Sequence, residues 1–164
     1  GVEYSQLSTM ETAGRLVNFV RKLNAAVLKI DGVGLGAGVV DRCRELLTDI
    51  EILEMNAGGK PIDGSNYADA GTEWWHMLAK RLQTGNIGGK VFAEKRAMQE
   101  LTTRRYKYLS DGRMKLESKE DIRKKGLKSP DWGDALAMVF AASKPRPNYK
   151  VKPVLDLTAA SKWR

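Results

Sequence analysis

Residues 25–53 read AAVLKIDGVGLGAGVVDRCRELLTDIEIL, and this stretch decides the fold class. Ala25 to Ile30 is an apolar run broken only by Lys29, which suits a buried strand ending at Asp31. A glycine-rich turn follows, Gly32-Val33-Gly34-Leu35-Gly36-Ala37-Gly38. Val39, Val40, Cys43, Leu46 and Leu47 then recur at helical spacing. Ile50, Ile52 and Leu53 mark a second short strand. Two strands joined through a helix form a βαβ crossover, so the two are expected as parallel neighbours in an α/β sheet.

Upstream, Ser8-Thr9-Met10-Glu11 has the spacing of a capping box, and apolar residues from Met10 to Leu23 keep a helical period, predicting a helix over 9–24. Downstream, glycines and Pro61 make 56–70 a loop, and helices are expected over about 73–82 and 94–102. The runs 105–109 and 113–117 flank Ser110-Asp111-Gly112, a hairpin signal. A short helix over 118–125 stops at Gly126, and Ser129 is expected to cap a last helix with Pro130 at its first position. The prolines and lysines from Lys144 onward predict a basic tail over 145–164, leaving one domain over 1–144.

The chain has 164 residues, 42% hydrophobic and 29% charged, enough for one soluble globular domain. No run approaches the roughly 20 apolar residues of a membrane span, and no signal peptide is read. A single cysteine, Cys43, leaves no disulfide framework or thiolate zinc site and fits a reducing, intracellular compartment. The net charge of +8 favours a polyanionic partner such as nucleic acid or an acidic membrane surface.

Asp31 stands where a parallel strand meets a glycine turn, and sites in open α/β sheets gather at the carboxyl ends of strands. It serves equally well as a cap for the following helix. Asp131 and Asp134, in Ser129-Pro130-Asp131-Trp132-Gly133-Asp134, share the start of a helix, where the dipole favours acids whatever the function. If these carboxylates meet Asp31 across the sheet, their repulsion calls for cations. Hard oxygen donors without a His or Cys cluster point to Mg²⁺ or Mn²⁺. Two such ions about 4 Å apart can activate water against a phosphodiester.

The run Asp31 to Asp41 resembles the second acidic motif of the nuclease domain of phage large terminases. Glu117 to Gly126, running into Ser129-Pro130-Asp131 and Asp134-Ala135-Leu136, resembles that family's carboxy-terminal motif. Asn66-Tyr67 and Glu73-Trp74-Trp75 follow its pattern between them, so the resemblance extends to about Ser143. It implies an RNase H-like α/β fold, a mixed sheet flanked by helices with a small β-hairpin, cutting double-stranded DNA during genome packaging. The second and third acids map onto Asp31 and Asp131, with Asp134 as a supporting ligand; Asp41 is a further secondary candidate on its place in the chain. It also implies a terminase ATPase domain, a small terminase and a portal as partners, in the cytoplasm of a bacterial host carrying a phage or prophage. No Gly-x-x-x-x-Gly-Lys-[Ser/Thr] loop occurs here, so no motor is expected in this chain. The family's first acid lies on an opening strand for which Gly1 to Leu7 leaves little room, so the N-terminal strands and that acid are expected to be missing. A catalytically inactive DNA-binding or packaging remnant is therefore the alternative.

Gly32-x-Gly34-x-x-Ala37 with Glu51 or Glu54 downstream also matches a dinucleotide-binding fingerprint, although Asp31 would set negative charge beside the pyrophosphate. His76 has no Ser or Cys partner pattern, and Trp74 and Trp75 suit a core. Arg104, Arg105, Lys107, Arg113 and Lys115 gather around the hairpin, and Lys119, Arg123, Lys124, Lys125 and Lys128 precede the acidic helix. They are read as contacts to DNA phosphates or as a solvated basic face.

Overall fold

The computed structural model describes residues 6–85 and 87–142. The expected tail over 145–164, and residues 1–5 of the short opening segment, lie outside them. Helix α1 spans Thr9–Leu23 and opens on the predicted capping box. Ser8 Oγ accepts from the Glu11 N–H at 3.2 Å, and the Ser8 N–H donates back to the Glu11 carboxylate at 2.9 Å. Strand β1 (Val27–Asp31) pairs in parallel with β2 (Glu51–Met55), placing Asp31 opposite Met55. Helix α2, Gly36–Leu46, makes the crossover between them. A Cβ on Gly36 would lie 1.8 Å from the Asp31 carbonyl oxygen, so only glycine lets the chain fold back so tightly over the end of β1.

The two strands alternate as a sheet buried on both faces does. Ile30 and Ile52 point into one core with Ala13, Val20, Val39, Val40 and Cys43, from α1 and α2. Leu53 and Met55 point the other way, into a second core with Trp74, Trp75, Leu78 and Ala137. That second core belongs to helix α3 (Ala70–Gln83) and helix α6 (Asp131–Phe140), so the parallel pair is sandwiched between two helical layers.

Between α3 and α6 the chain forms a 3-10 turn (Lys90–Ala93), helix α4 (Lys95–Thr103), strands β3 (Tyr106–Tyr108) and β4 (Met114–Leu116), and helix α5 (Lys119–Lys124). β3 and β4 are the predicted antiparallel hairpin. Gly112 takes φ 83° in its turn, and Gly126 takes φ 73° where it stops α5. β4 is fastened to α3 by the Leu116 N–H donating to Thr72 Oγ1 at 3.0 Å. Among the described residues the strands form two two-stranded sheets, and no helix is long and apolar enough to cross a membrane.

One local expectation fails. Ser129 does not cap α6, because Pro130 holds the N-cap position and leaves no side-chain acceptor there. The Glu100 carboxylate of α4 substitutes, accepting from the Trp132 N–H at 2.8 Å and the Gly133 N–H at 3.0 Å. A negative group at a helix start is favoured by the exposed N–H groups and the dipole, whichever element supplies it.

Candidate functional site

A cavity of about 250 Å³ opens at the carboxyl end of β1. Asp31 lines it from the strand, and Asp134 from the first turn of α6. The start of α3 contributes Asp69 and Trp75, and the hairpin side contributes Arg104, Lys115, Glu117 and Lys119. Residues more than a hundred positions apart line this one cavity. Lys29 ties β1 to α6: its ammonium donates to the carbonyls of Val139 at 3.1 Å and Ala141 at 2.7 Å, at the carboxyl end of α6. Partial burial lowers the Lys29 pKa.

The two central carboxylates live in different surroundings. Asp31 is exposed, accepts from the Val33 N–H at 3.1 Å, and makes no ion pair among the described residues. Asp134 is half-buried and held on three sides. Arg104 donates to Oδ1 at 2.6 Å, the Trp75 indole donates to the same oxygen at 2.8 Å, and the Lys119 ammonium lies 2.9 Å from Oδ2. Arg104 also donates to the Glu117 carbonyl at 3.2 Å and stacks over the Trp75 ring at 4.8 Å. Burial lowers the Arg104 pKa, and Asp134 opposes that shift. A Cβ on Gly133 would strike the Trp75 ring at 2.4 Å, so glycine is what lets α6 approach closely enough.

Asp69 forms the far wall of the cavity, paired with Lys115 and accepting from Thr72 Oγ1 at 2.6 Å and from the Thr72 N–H at 2.8 Å. Burial alone would raise its pKa, but the Lys115 and Thr72 hydrogen bonds outweigh that and hold it below the usual carboxylate value.

Of the predicted acids, the structure brings together Asp31 and Asp134. Asp131 is exposed and lies outside the cavity, with its carboxylate 3.7 Å from Arg96. Asp41 is exposed on α2, 3.6 Å from Arg44, and also lies outside the cavity. The predicted phosphate contacts divide into two groups. Arg104, Lys115 and Lys119 are committed to the cavity's acids, Lys125 pairs with Glu117, and Arg113 pairs with Asp111 of its own turn. Arg105, Lys107, Arg123, Lys124 and Lys128 are exposed and make no ion pair among the described residues. Trp74 and Trp75 are core residues, and His76 packs its ring 5.5 Å from that of Tyr67.

The sequence reading passed over Lys29, Asp69 and Glu100. Lys29 carried a signal, being the one charge inside an apolar strand. Asp69 carried the local signal of an N-cap, accepting from the Thr72 N–H three residues on, but not its pairing with the distant Lys115; Glu100 carried none, since the N–H groups it accepts from lie on α6.

Asp31 and Asp134 are hard oxygen donors on one cavity, which suits a Mg²⁺-like cation held by one or two carboxylates and completed by water and substrate phosphate. Among the described residues no three His, Cys, Asp or Glu side chains gather closely enough to make a cage from protein alone. Lys119 is half-exposed, so Asp134 Oδ2 is the oxygen best placed to exchange its ammonium for another cation.

Neither a protein-family model nor a curated protein matches the chain. Solved structures do. The nuclease domain of the large terminase subunit of bacterial virus Sf6, as a lysine-to-alanine mutant with manganese, superimposes with a TM-score of 0.74 at 20% identity. That match covers 87% of this chain and 77% of the other. The domain without that mutation matches with a TM-score of 0.69 at 21% identity, over 80% of this chain and 72% of the other. A mutant with calcium gives 0.68 at 20% identity, over 80% and 71%. Over most of its length the chain thus shares the fold of that viral terminase domain.

Proposed function

We propose that the chain is the nuclease domain of a phage or prophage large terminase, a metal-dependent endonuclease that cuts concatemeric double-stranded DNA as genomes are packaged. The observation that carries this reading is the meeting of Asp31 and Asp134 in one cavity at the carboxyl end of β1. The fold shared with the Sf6 domain, seen there with manganese and with calcium, supports it. Asp31 and Asp134 are the residues that would hold Mg²⁺ or Mn²⁺, which would supply an activated water and offset charge on the phosphate. Asp131 and Asp41 then serve outside the cavity and do not ligate.

The chain's own residues do the rest. Asp31 keeps an unpaired carboxylate free to hold that cation beside the phosphate. Arg104 and Trp75 fix one oxygen of Asp134, so its second oxygen faces the cavity in a constant direction. Arg105, Lys107, Arg123, Lys124 and Lys128 are left to neutralise the DNA backbone, a contact blind to sequence and weakened by salt. The ATPase domain, small terminase and portal are the partners this role requires, in the cytoplasm of the infected or lysogenic bacterium.

Saturation of Asp134 by Arg104, Trp75 and Lys119 favours one second reading, a DNA-binding packaging element that does not cut. Nicking of supercoiled plasmid in Mn²⁺, Mg²⁺ and EDTA, beside an Asp31→Asn, Asp134→Asn double variant, separates the two. Cleavage that needs metal and both aspartates supports the nuclease. Salt-sensitive plasmid binding without cleavage favours the second reading, and absence of both rejects the two together.

A further inference from the structure

The outer strand of the hairpin carries a feature that the cutting site does not use. Tyr106 and Tyr108 are 57% and 66% exposed, although large aromatic side chains normally bury most of their area. They share one face of β3, two residues apart, with ring centroids 6.0 Å apart and planes at 88°. All three residues of β3 are exposed, and among the described residues its outer edge pairs with nothing.

The surroundings of this pair are basic. Arg105, just before the strand, and Lys107 flank Tyr106. Across a cleft of about 470 Å³, lined partly by Tyr106, stand Lys124, the last residue of α5, and Lys125 just after it. Two carboxylates also line that cleft: Glu117 pairs with Lys125, while Asp121 accepts from Ser118 Oγ at 2.8 Å and also feels Lys124 and Lys107, which help to hold its pKa down. Lys107 stands opposite Lys115, a wall of the acid cavity, so the hairpin runs from that cavity to the aromatic edge.

We propose that this edge binds an unpaired strand of DNA, its bases stacking on Tyr106 and Tyr108 and its phosphates meeting Arg105, Lys107 and Lys124. Exposed rings beside a basic cleft are the two parts from which single-strand binding is built. A duplex hides its base faces, so it can use the cations but not the rings. The choice of DNA rests on the nuclease reading, under which a nicked or frayed end beside the cavity supplies the unpaired strand.

Fluorescence anisotropy tests this with labelled oligo(dT), oligo(U) and a DNA duplex, each of about 20 nucleotides per strand, long enough to span such a site. For Tyr106→Ala, Tyr108→Ala the expected result is a loss of about tenfold or more in oligo(dT) affinity, as removal of base stacking costs. Duplex affinity is expected to stay within about twofold, because it depends on phosphate contacts. Tyr106→Phe, Tyr108→Phe should bind like the parent, which also controls for folding. Undiminished oligo(dT) binding by the alanine variant would overturn the proposal, as would an equal loss for the duplex. Oligo(U) bound more tightly than oligo(dT), with the same dependence on the rings, would overturn the assignment to DNA. A ring-dependent oligo(dT) signal in a chain that neither binds nor nicks duplex would uphold this site while rejecting the nuclease reading.

Discussion

The carboxylate at the end of β1 and the carboxylate on α6 face one cavity, yet the chain places them by opposite means. Asp31 is positioned locally: an apolar strand, a tight turn and Gly36 fix its backbone, and its side chain touches little. Asp134 is positioned from a distance, by Trp75 on α3, by Arg104 between α4 and the hairpin, and by Lys119 at the start of α5. A group placed by its backbone keeps its side chain free for chemistry. A group placed through its side chain ties the site to the stability of every element that holds it.

This contrast can be broken most forcefully at Arg104. Arg104→Ala removes a mostly buried partner of Asp134 and uncovers the Trp75 face, so it should cost about 3 kcal/mol in urea denaturation. A loss no larger than that of a surface arginine would mean Asp134 does not depend on it. Gly133→Ala sets a methyl group against Trp75 and should cost about 2 kcal/mol, with a change in tryptophan fluorescence as the local signature. Glu100→Ala strips the cap from α6 and should cost about 1 kcal/mol, read as a lower melting temperature.

Asp69 sharpens the comparison through pH. Its folded pKa lies below the usual carboxylate value, so its stabilisation is complete at neutral pH and is lost as pH falls through that lowered value. Asp69→Asn should therefore flatten the acid limb of the stability profile, and an unchanged limb would assign acid unfolding to other groups. The smallest effect belongs to Asp31→Asn. Its one hydrogen bond, from the Val33 N–H, survives in the amide, so stability should stay within about 0.5 kcal/mol while any nicking is lost.

The same contrast explains what the sequence could disclose. The βαβ unit, the capping box of α1 and the Asp-Gly hairpin are local patterns, and each stands where its spacing put it. Asp31 was legible for that reason. The choice between Asp131 and Asp134 was not, because both occupy the first turn of one helix. Packing of Gly133 against Trp75 and capping by Glu100 set which of the two enters the cavity. Arg104 was legible as a basic residue near the hairpin but not as a buried one, since its partner lies 30 positions away. The cap on α6 was misplaced because Ser129 had the expected residue type but stood one position too early.

We propose that Asp31 and Asp134, rather than Asp131, hold the cation. Mn²⁺ binding, followed by loss of the free-ion electron paramagnetic resonance signal, tests this directly on the parent chain, Asp31→Asn, Asp134→Asn and Asp131→Asn. Asp31→Asn and Asp134→Asn should each abolish binding, and Asp131→Asn should bind like the parent. Binding lost in Asp131→Asn and kept in Asp31→Asn would contradict it.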